Sequence, residues 1–447
     1  MITDQLDSYH LLIFSFWLTV ITDDNFLKYI MSYSATSILK HAITGNKYWP
    51  AIIATPDMRS SYDTVIIGGG GHGLATAHYL AKNHGKTDIA VLEANWIGGG
   101  NTARNTTIVR SDYLLNSSFG LKNFALKLWS ELSQELNFNL MYEPRGYIDL
   151  AHSDGELEHF TLRANAMLLG GADVKILTGD ALQDKVPDLN LNSSARFPVA
   201  GALFQEAGGV IRHDAVAWGF ARKASQAGIH IFQQTPVIKI NTTKGKVSSV
   251  DTPQGRINCR QVFISVAGAS NQVASLAGLD LPIHSINVQA FVTEPVKPVL
   301  EAVVNYNAGL SYISQTAKGE FVLGGASDSY NSYARRGSFA RIEDVLARAL
   351  QIFPFLSRLR LMRHWSGTAD ISMDGNAIIG ATPVDGLMIN CGWGYAGFKA
   401  TPAVGHQMAE MLAVGATPEL IKAFSYDRFA TGAEQDDAGV GPYPWLH

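Results

Sequence analysis

The stretch Tyr62-Asp63-Thr64-Val65-Ile66-Ile67-Gly68-Gly69-Gly70-Gly71-His72-Gly73 decides the fold. Its β-branched run with a continuous apolar end reads as a buried parallel strand. Gly68, Gly70 and Gly73 then satisfy G-x-G-x-x-G. Leu74 to Asn83 has helical composition, with Gly85 in the place of a C-cap. Ile89-Ala90-Val91-Leu92 reads as a second strand, and Glu93 ends it twenty positions after Gly73. A lone glycine motif is weak, but the strand, turn, helix, strand and acid together form a dinucleotide fingerprint. The glycines let the backbone approach a pyrophosphate, and the helix N-terminus offers free N–H groups and a positive dipole end. Glu93 is placed to accept both hydrogen bonds of a ribose diol. A plain glycine-rich turn of an α/β protein explains the loop but not all these parts together.

Further on, Gly98-Gly99-Gly100-Asn101-Thr102-Ala103-Arg104-Asn105-Thr106-Thr107 is a second glycine run, rich in hydroxyl and amide side chains. It suits the lining of a long extended cofactor such as FAD; an ordinary surface loop is the bland alternative. The fingerprint alone leaves FAD and NAD both open. Strand-like runs recur at Ile229–Phe232, Val237–Ile240, Lys246–Val250, Val262–Val266 and Gly386–Gly392, and helical ones at Leu121–Leu136, Ile342–Ile352 and Ala403–Val414. Nucleotide-type elements thus occur at the start, middle and end and flank insertions. The expected fold class is α/β, mixed with α+β. A discontinuous Rossmann-like FAD-binding domain takes residues 62–150, 205–280 and 365–430. An inserted, largely antiparallel substrate or interface domain takes residues 151–204 and 281–364. Residues 1–61 are an N-terminal extension and lead-in, and residues 431–447 a C-terminal tail.

Composition excludes several classes. Of 447 residues 47% are hydrophobic and 17% charged, which supplies ample core. A net charge of −4, with no block of like charges, gives nucleic-acid binding no electrostatic support. Cys259 and Cys391 are the only cysteines, so no disulfide framework is expected, and a reducing cytoplasm fits. No metal-ligand spacing is present. The apolar run Leu11–Ile21 is too short to span a bilayer comfortably. It lacks a basic n-region and is flanked by Asp4, Asp7, Asp23 and Asp24, so it is a poor secretory signal. It reads as an N-terminal helix, or as an extension from a misplaced start with Met31 as the alternative, and not as a membrane anchor.

Four stretches carry a resemblance: IIGGGGHGLATAHYLAKNHG (Ile66–Gly85), GGGNTARNTTIVRSDY (Gly98–Tyr113), GGVIRHDAVAWGFARKA (Gly208–Ala224) and NCGWGYAGFKATP (Asn390–Pro402). In this order and spacing the chain resembles the β-subunits of heterotetrameric sarcosine oxidases, within the D-amino-acid oxidase-like flavoenzymes. The resemblance covers nearly everything from Met31 onward. It implies non-covalent FAD, with Gly71, His72, Glu93 and the Val237 backbone at the adenine and ribose end. Asn101, Thr106 and Ile108 fall at the pyrophosphate and ring end, and Gly394, Gly397 and Lys399 close the site. It implies a second flavin, FMN, bound covalently through His213 with Val210 in contact, and Asp214 as a candidate orienter of the imidazole. Composition alone would not choose His213, one of 13 histidines.

The resemblance also places Arg110 and Lys399 as a clamp for the carboxylate of a small N-methyl amino acid. The bland reading of both is a solvated surface charge. Their apolar, glycine-flanked surroundings argue against it. The implied reaction moves a hydride equivalent from the N-methyl carbon to FAD, and the imine hydrolyses to formaldehyde and the demethylated amino acid. Electrons then go from FAD to FMN and on to oxygen, giving peroxide. Partners would be the α, γ and δ subunits, with NAD and tetrahydrofolate carried by them. Single-flavin relatives use a lysine for oxygen and a cysteine to tether FAD; here Phe321-Val322-Leu323 and Asp370–Asp374 offer neither. Ala396 stands where a glycine is expected, which puts the loop's shape in question. The alternatives are an N-methylglutamate dehydrogenase large subunit, a single-subunit FAD amino-acid oxidase, and a flavin-holding scaffold without turnover.

Overall fold

Strand β1 (Ser61–Ile67) buries its apolar end in the middle of an eight-stranded sheet. It pairs in parallel with β2 (Ile89–Leu92) on one side and with Gly255–Ile264 on the other. Beyond β2 lies His230–Phe232, and beyond Gly255–Ile264 lies Leu387–Cys391, both parallel. The chain therefore leaves β1 in both directions, and the carboxyl ends of these strands open a crevice there. This is where α/β sheets bind ligands. Three antiparallel strands, Lys239–Thr243, Lys246–Thr252 and Ile378–Ala381, complete the sheet.

These features belong to a computed structural model that describes residues 35–45, 47, 51–306, 311–328, 330–435 and 437. The chain divides into Met1–Ile52 and Ile53–His447. The first unit holds the helix Ala35–Ile43. The run Leu11–Ile21 and Met31 lie outside the described residues. Among the described residues no helix is long and apolar enough to cross a membrane. No group of His, Cys, Asp or Glu among them could hold a metal ion.

Helix α1 (Gly71–His84) connects β1 to β2 and ends on Gly85 at φ +63°, whose N–H donates to the Ala81 carbonyl. This is the left-handed cap that a glycine permits at least cost. Helices His213–Gln226 and Thr401–Val414 pack beside α1. A Cβ on Gly405 would lie 2.4 Å from the Ala75 Cβ, so the contact with Thr401–Val414 needs a glycine.

The second sheet also has eight strands, in the order Leu361–Ser372, Ile283–Pro295, Glu320–Ser327, Ser311–Gln315, Val303–Tyr306, Tyr147–Ala151, Gly201–Gln205, Val174–Leu177. Only the pairing of Val303–Tyr306 with Tyr147–Ala151 is parallel. Tyr147–Ala151, Gly201–Gln205 and Leu361–Ser372 each reach across one of the expected domain limits at residues 150, 205 and 365. All three pair in this second sheet. One expected strand starts late: pairing begins at Lys239, not Val237. Gln234 at φ +54° turns the chain, and Pro236 has no N–H to offer a ladder.

A buried ion pair ties the C-terminal region to this frame. Arg428 donates to both oxygens of Asp374 at 2.7 Å, and both side chains are 1% exposed. Removing one partner strands the other charge in the core. An Arg428→Met variant should lose about 3–5 kcal/mol in a denaturant titration, and a loss under 1 kcal/mol would mean the pair is idle.

Candidate active site

The glycines of the fingerprint are held by packing. Gly68 sits at φ +115°, and a Cβ there would lie 2.2 Å from the Ser265 carbonyl oxygen. A Cβ on Gly73 would lie 2.2 Å from the Gly68 carbonyl oxygen, so the third glycine is what lets α1 seat on β1. Glu93 closes β2 and accepts the N–H of Gly69 at 2.9 Å and of Asn95 at 2.8 Å. Its carboxylate is thereby fixed beside the glycine turn. The Thr235 N–H donates to the Glu93 carbonyl at 2.8 Å, which brings the backbone before Val237 to the same edge. The Gly71 N–H donates to the Thr102 hydroxyl at 3.0 Å. The second glycine run therefore lies across the start of α1. Asn101 is anchored through its amide to the Thr368 carbonyl at 2.6 Å.

His72 uses both ring nitrogens inside the chain. Nε2 donates to the Gly397 carbonyl at 2.8 Å. A carbonyl only accepts, so the proton is on Nε2, and Nδ1 accepts from the Asn390 amide at 2.7 Å. Burial pushes the ring's pKa down to about 4, so it is neutral at physiological pH. His72 thus stitches the fingerprint to the Asn390–Gly397 loop. Trp393 donates to the Asn390 Oδ1 at 2.6 Å, which orients the amide. Gly394, at φ +51°, donates to the Asp370 carbonyl at 2.7 Å. Ala396 is not among the positive-φ residues, and its N–H closes a turn on the Trp393 carbonyl at 2.8 Å. The loop forms without a glycine there.

A two-stranded ladder joins the remaining predicted residues. Ile108–Val109 pairs antiparallel with Gly209–Val210, and Ile108 lies opposite Val210. Arg110 leaves one strand of this ladder and Ile211-Arg212-His213 leaves the other. Arg110 is ion-paired with Asp112 and lies 5.0 Å from the Tyr113 ring centre and 4.9 Å from that of Tyr147. Burial opposes its charge, but Asp112 outweighs this and holds the guanidinium pKa well above its ordinary value. Asp112 also faces Arg163, which pairs with Asp149 at 2.9 Å. Lys399 is buried, and its Nζ donates to the Tyr395 carbonyl at 3.1 Å. Burial first, then the charges of Arg110 and Lys122, hold the amine's pKa well below the usual lysine range. The Trp129 indole fixes the Lys399 carbonyl at 2.9 Å. Arg110 and Lys399 are thus brought together. Thr106 hydrogen-bonds Tyr312, whose hydroxyl burial pushes up to about 12.

His213 opens the helix His213–Gln226 and is one-fifth exposed. Burial lowers its pKa, so the ring is neutral. Its Nδ1 has no hydrogen-bond partner among the described residues. Asp214 does not orient it: the carboxylate is gripped by Arg212 at 2.7 and 3.1 Å and stands 3.8 Å from Nδ1. A bidentate arginine outcompetes a neutral imidazole for a carboxylate.

A family model described as FAD dependent oxidoreductase (DAO) matches residues 63–411. Sarcosine oxidase subunit beta of Rhizobium meliloti (strain 1021) is 48% identical over 93% of this chain and 100% of its own length. The chain belongs to the FAD-dependent oxidoreductases, among their sarcosine oxidase β-subunits. The Arthrobacter sp. β-subunit is 44% identical over 87% of this chain and 96% of its own. Among solved structures, L-proline dehydrogenase from P. horikoshii superposes with a TM-score of 0.79 at 25% identity, covering 85% of this chain and all of that one. Glycine oxidase from Geobacillus kaustophilus shares the fold, with a TM-score of 0.74 at 22% identity over 83% and 99% of the two chains. As a member of these β-subunits the chain is an FAD-dependent oxidoreductase acting on the CH–NH group of amino-acid donors. The names of these relatives make each of them one subunit of a larger enzyme.

The residues fit FAD. The carboxyl-end crevice, the glycine turn that leads into α1, the fixed Glu93 carboxylate and the crossing Thr102 loop supply what its dinucleotide part needs. Sequence reasoning missed the partners of the clamp: Asp112, Tyr113, Tyr147 and Lys122. A lysine on an otherwise apolar helix face was the one legible signal for Lys122. A Gly73→Ala variant tests the cradle. Its methyl group meets the Gly68 carbonyl and should cost about 1–3 kcal/mol. It should also lower the FAD retained on gel filtration; full retention with an unchanged melting temperature would show that the turn has slack.

Proposed function

We propose that this chain is the flavin-bearing β-subunit of a heterotetrameric enzyme that demethylates sarcosine oxidatively. The overall balance is sarcosine, water and oxygen giving glycine, formaldehyde and hydrogen peroxide; a folate on a partner subunit would take the one-carbon unit as methylene-tetrahydrofolate. The observation that carries the reading is buried Lys399 in the field of the half-buried Arg110, beside the ladder whose other end leads to His213.

Arg110 and Lys399 bind the substrate carboxylate and so orient the N-methyl carbon. Arg110 is charged throughout, and its Asp112 and tyrosine contacts fix the guanidinium plane. Lys399 is held towards its neutral form until an anion arrives. When bound, FAD supplies the electron acceptor for C–N oxidation, and FMN on His213 supplies the outlet to oxygen. His213 presents a neutral imidazole nitrogen, the form able to make such a bond. The apolar Phe321 and Leu323, with Val322 between them, leave no lysine on that strand for oxygen chemistry. Cys259 and Cys391 are buried free thiols, Cys259 pushed up to about 12 by burial, so neither is suited to tether FAD. Free thiols also suit a cytoplasmic setting. The α, γ and δ chains are the partners on this reading, with NAD and tetrahydrofolate on them.

The deciding experiment is peptide mapping of the protein co-expressed with its neighbouring genes. The peptide with His213 should carry one FMN, and FAD should be released on denaturation. An unmodified His213 with FAD alone would leave a single-flavin amino-acid oxidase or dehydrogenase. A panel of sarcosine and N-methylglutamate then separates the two-flavin oxidase from an N-methylglutamate dehydrogenase. Arg110→Met should cut kcat/KM on the order of 10³-fold by stranding a carboxylate without its partner, with FAD content unchanged.

Anion binding should also take up protons. A carboxylate placed beside Lys399 raises the amine's depressed pKa towards its ordinary value. Affinity for acetate should therefore fall as pH rises. Calorimetry in buffers of different ionisation enthalpy reads the proton uptake directly; zero uptake would mean that Lys399 is already charged.

A further inference from the structure

Helix Asn116–Glu135 buries Phe119, Leu126, Trp129 and Leu132 along one stripe. Lys122 lies in that stripe, 1% exposed. Its Nζ has no hydrogen-bond partner among the described residues. The ammonium stands 3.6 Å from the centre of the Tyr113 ring, the same ring that Arg110 approaches at 5.0 Å. Two turns along the helix, Trp129 holds the Lys399 backbone. A buried amine without a hydrogen bond costs free energy that an apolar side chain would not. Nothing in the packing of this helix requires a lysine.

The charges around it do not balance. Arg110, Lys122, Arg163 and Lys399 are positive; Asp112, Asp149 and Asp437 are negative. Asp112 and Asp149 are taken up by Arg110 and Arg163. Asp437 is occupied by the Leu115 N–H at 3.0 Å and the Asn376 amide at 2.9 Å. Among the described residues neither Lys122 nor Lys399 is ion-paired with a carboxylate, and both are left for an anion to match. Burial first, with Arg110 adding to it and Asp437 and Asp112 opposing, draws the Lys122 amine down to about 8. An incoming anion would raise it again.

We propose that Lys122 is a third, specificity-determining cation for the substrate carboxylate, acting with Arg110 and Lys399. The assignment rests on the amino-acid reading of the same site. Lys122 adds positive field on the helix side of the clamp, and it shares the Tyr113 ring with Arg110.

The test uses the assembled holoenzyme with Lys122→Met, which keeps the side chain's length and removes its charge. Acetate is titrated against the flavin absorbance, and steady-state rates are compared for the N-methyl amino acid and its primary amide. Acetate affinity should fall about tenfold or more, as for loss of one buried charge partner. The acid should lose kcat/KM by a similar factor, mainly through KM, and the amide should lose none. Lys122→Arg should recover part of the acetate affinity. Unchanged acetate affinity, or equal losses for acid and amide, overturns the assignment and leaves Lys122 a packing residue. If Lys122→Met does not retain FAD, Lys122→Gln carries the same titration with the same criteria. Should the wild type turn over no N-methyl amino acid yet bind acetate through Lys122, the proposed substrate falls and the anion role of Lys122 stands.

Discussion

Positive charge held away from water has to be balanced, and the region around Arg110 is arranged by that demand. Asp112 answers Arg110, and Asp149 answers Arg163. Tyr113 and Tyr147 give the cations aromatic faces. What the protein leaves incompletely answered is Lys399 and Lys122, and both respond by shifting towards the neutral form. A site built this way discriminates by charge: an anion restores the balance, and a neutral molecule does not.

That site stands where four chain segments meet. The ladder of Ile108–Val109 with Gly209–Val210 ties the segments that carry Arg110 and His213, which leave it at opposite ends. The Asn390–Gly397 loop delivers Lys399, and His72 ties that loop to the fingerprint. The glycine turn and the segment that carries Lys399 are therefore tied to one another. The same loop that fixes the start of α1 also sets the height of Lys399. A neutral, doubly hydrogen-bonded His72 makes this tie.

Much of the nucleotide half was legible because its requirements are local. A glycine at Gly73 is demanded by the carbonyl five residues earlier, and Glu93 is demanded by the turn it faces. The second sheet was less legible. Tyr147–Ala151 and Leu361–Ser372 run across the limits that turn signals suggested, because strand pairing partners come from distant sequence. The role given to Asp214 failed for a related reason. Adjacency suggested that it would serve His213, whereas the competing guanidinium of Arg212 takes the carboxylate.

The sequence by itself determined the βαβ unit and its dinucleotide fingerprint, since spacing over a few tens of residues suffices for these. Family likeness, not spacing, singled out Arg110, Lys399 and His213. Only the tertiary structure decided that Arg110, Lys122 and Lys399 lie in one another's field, and that Asp214 is spent on Arg212. Charge balance in a buried site is summed over elements far apart in the chain, and no local pattern contains that sum.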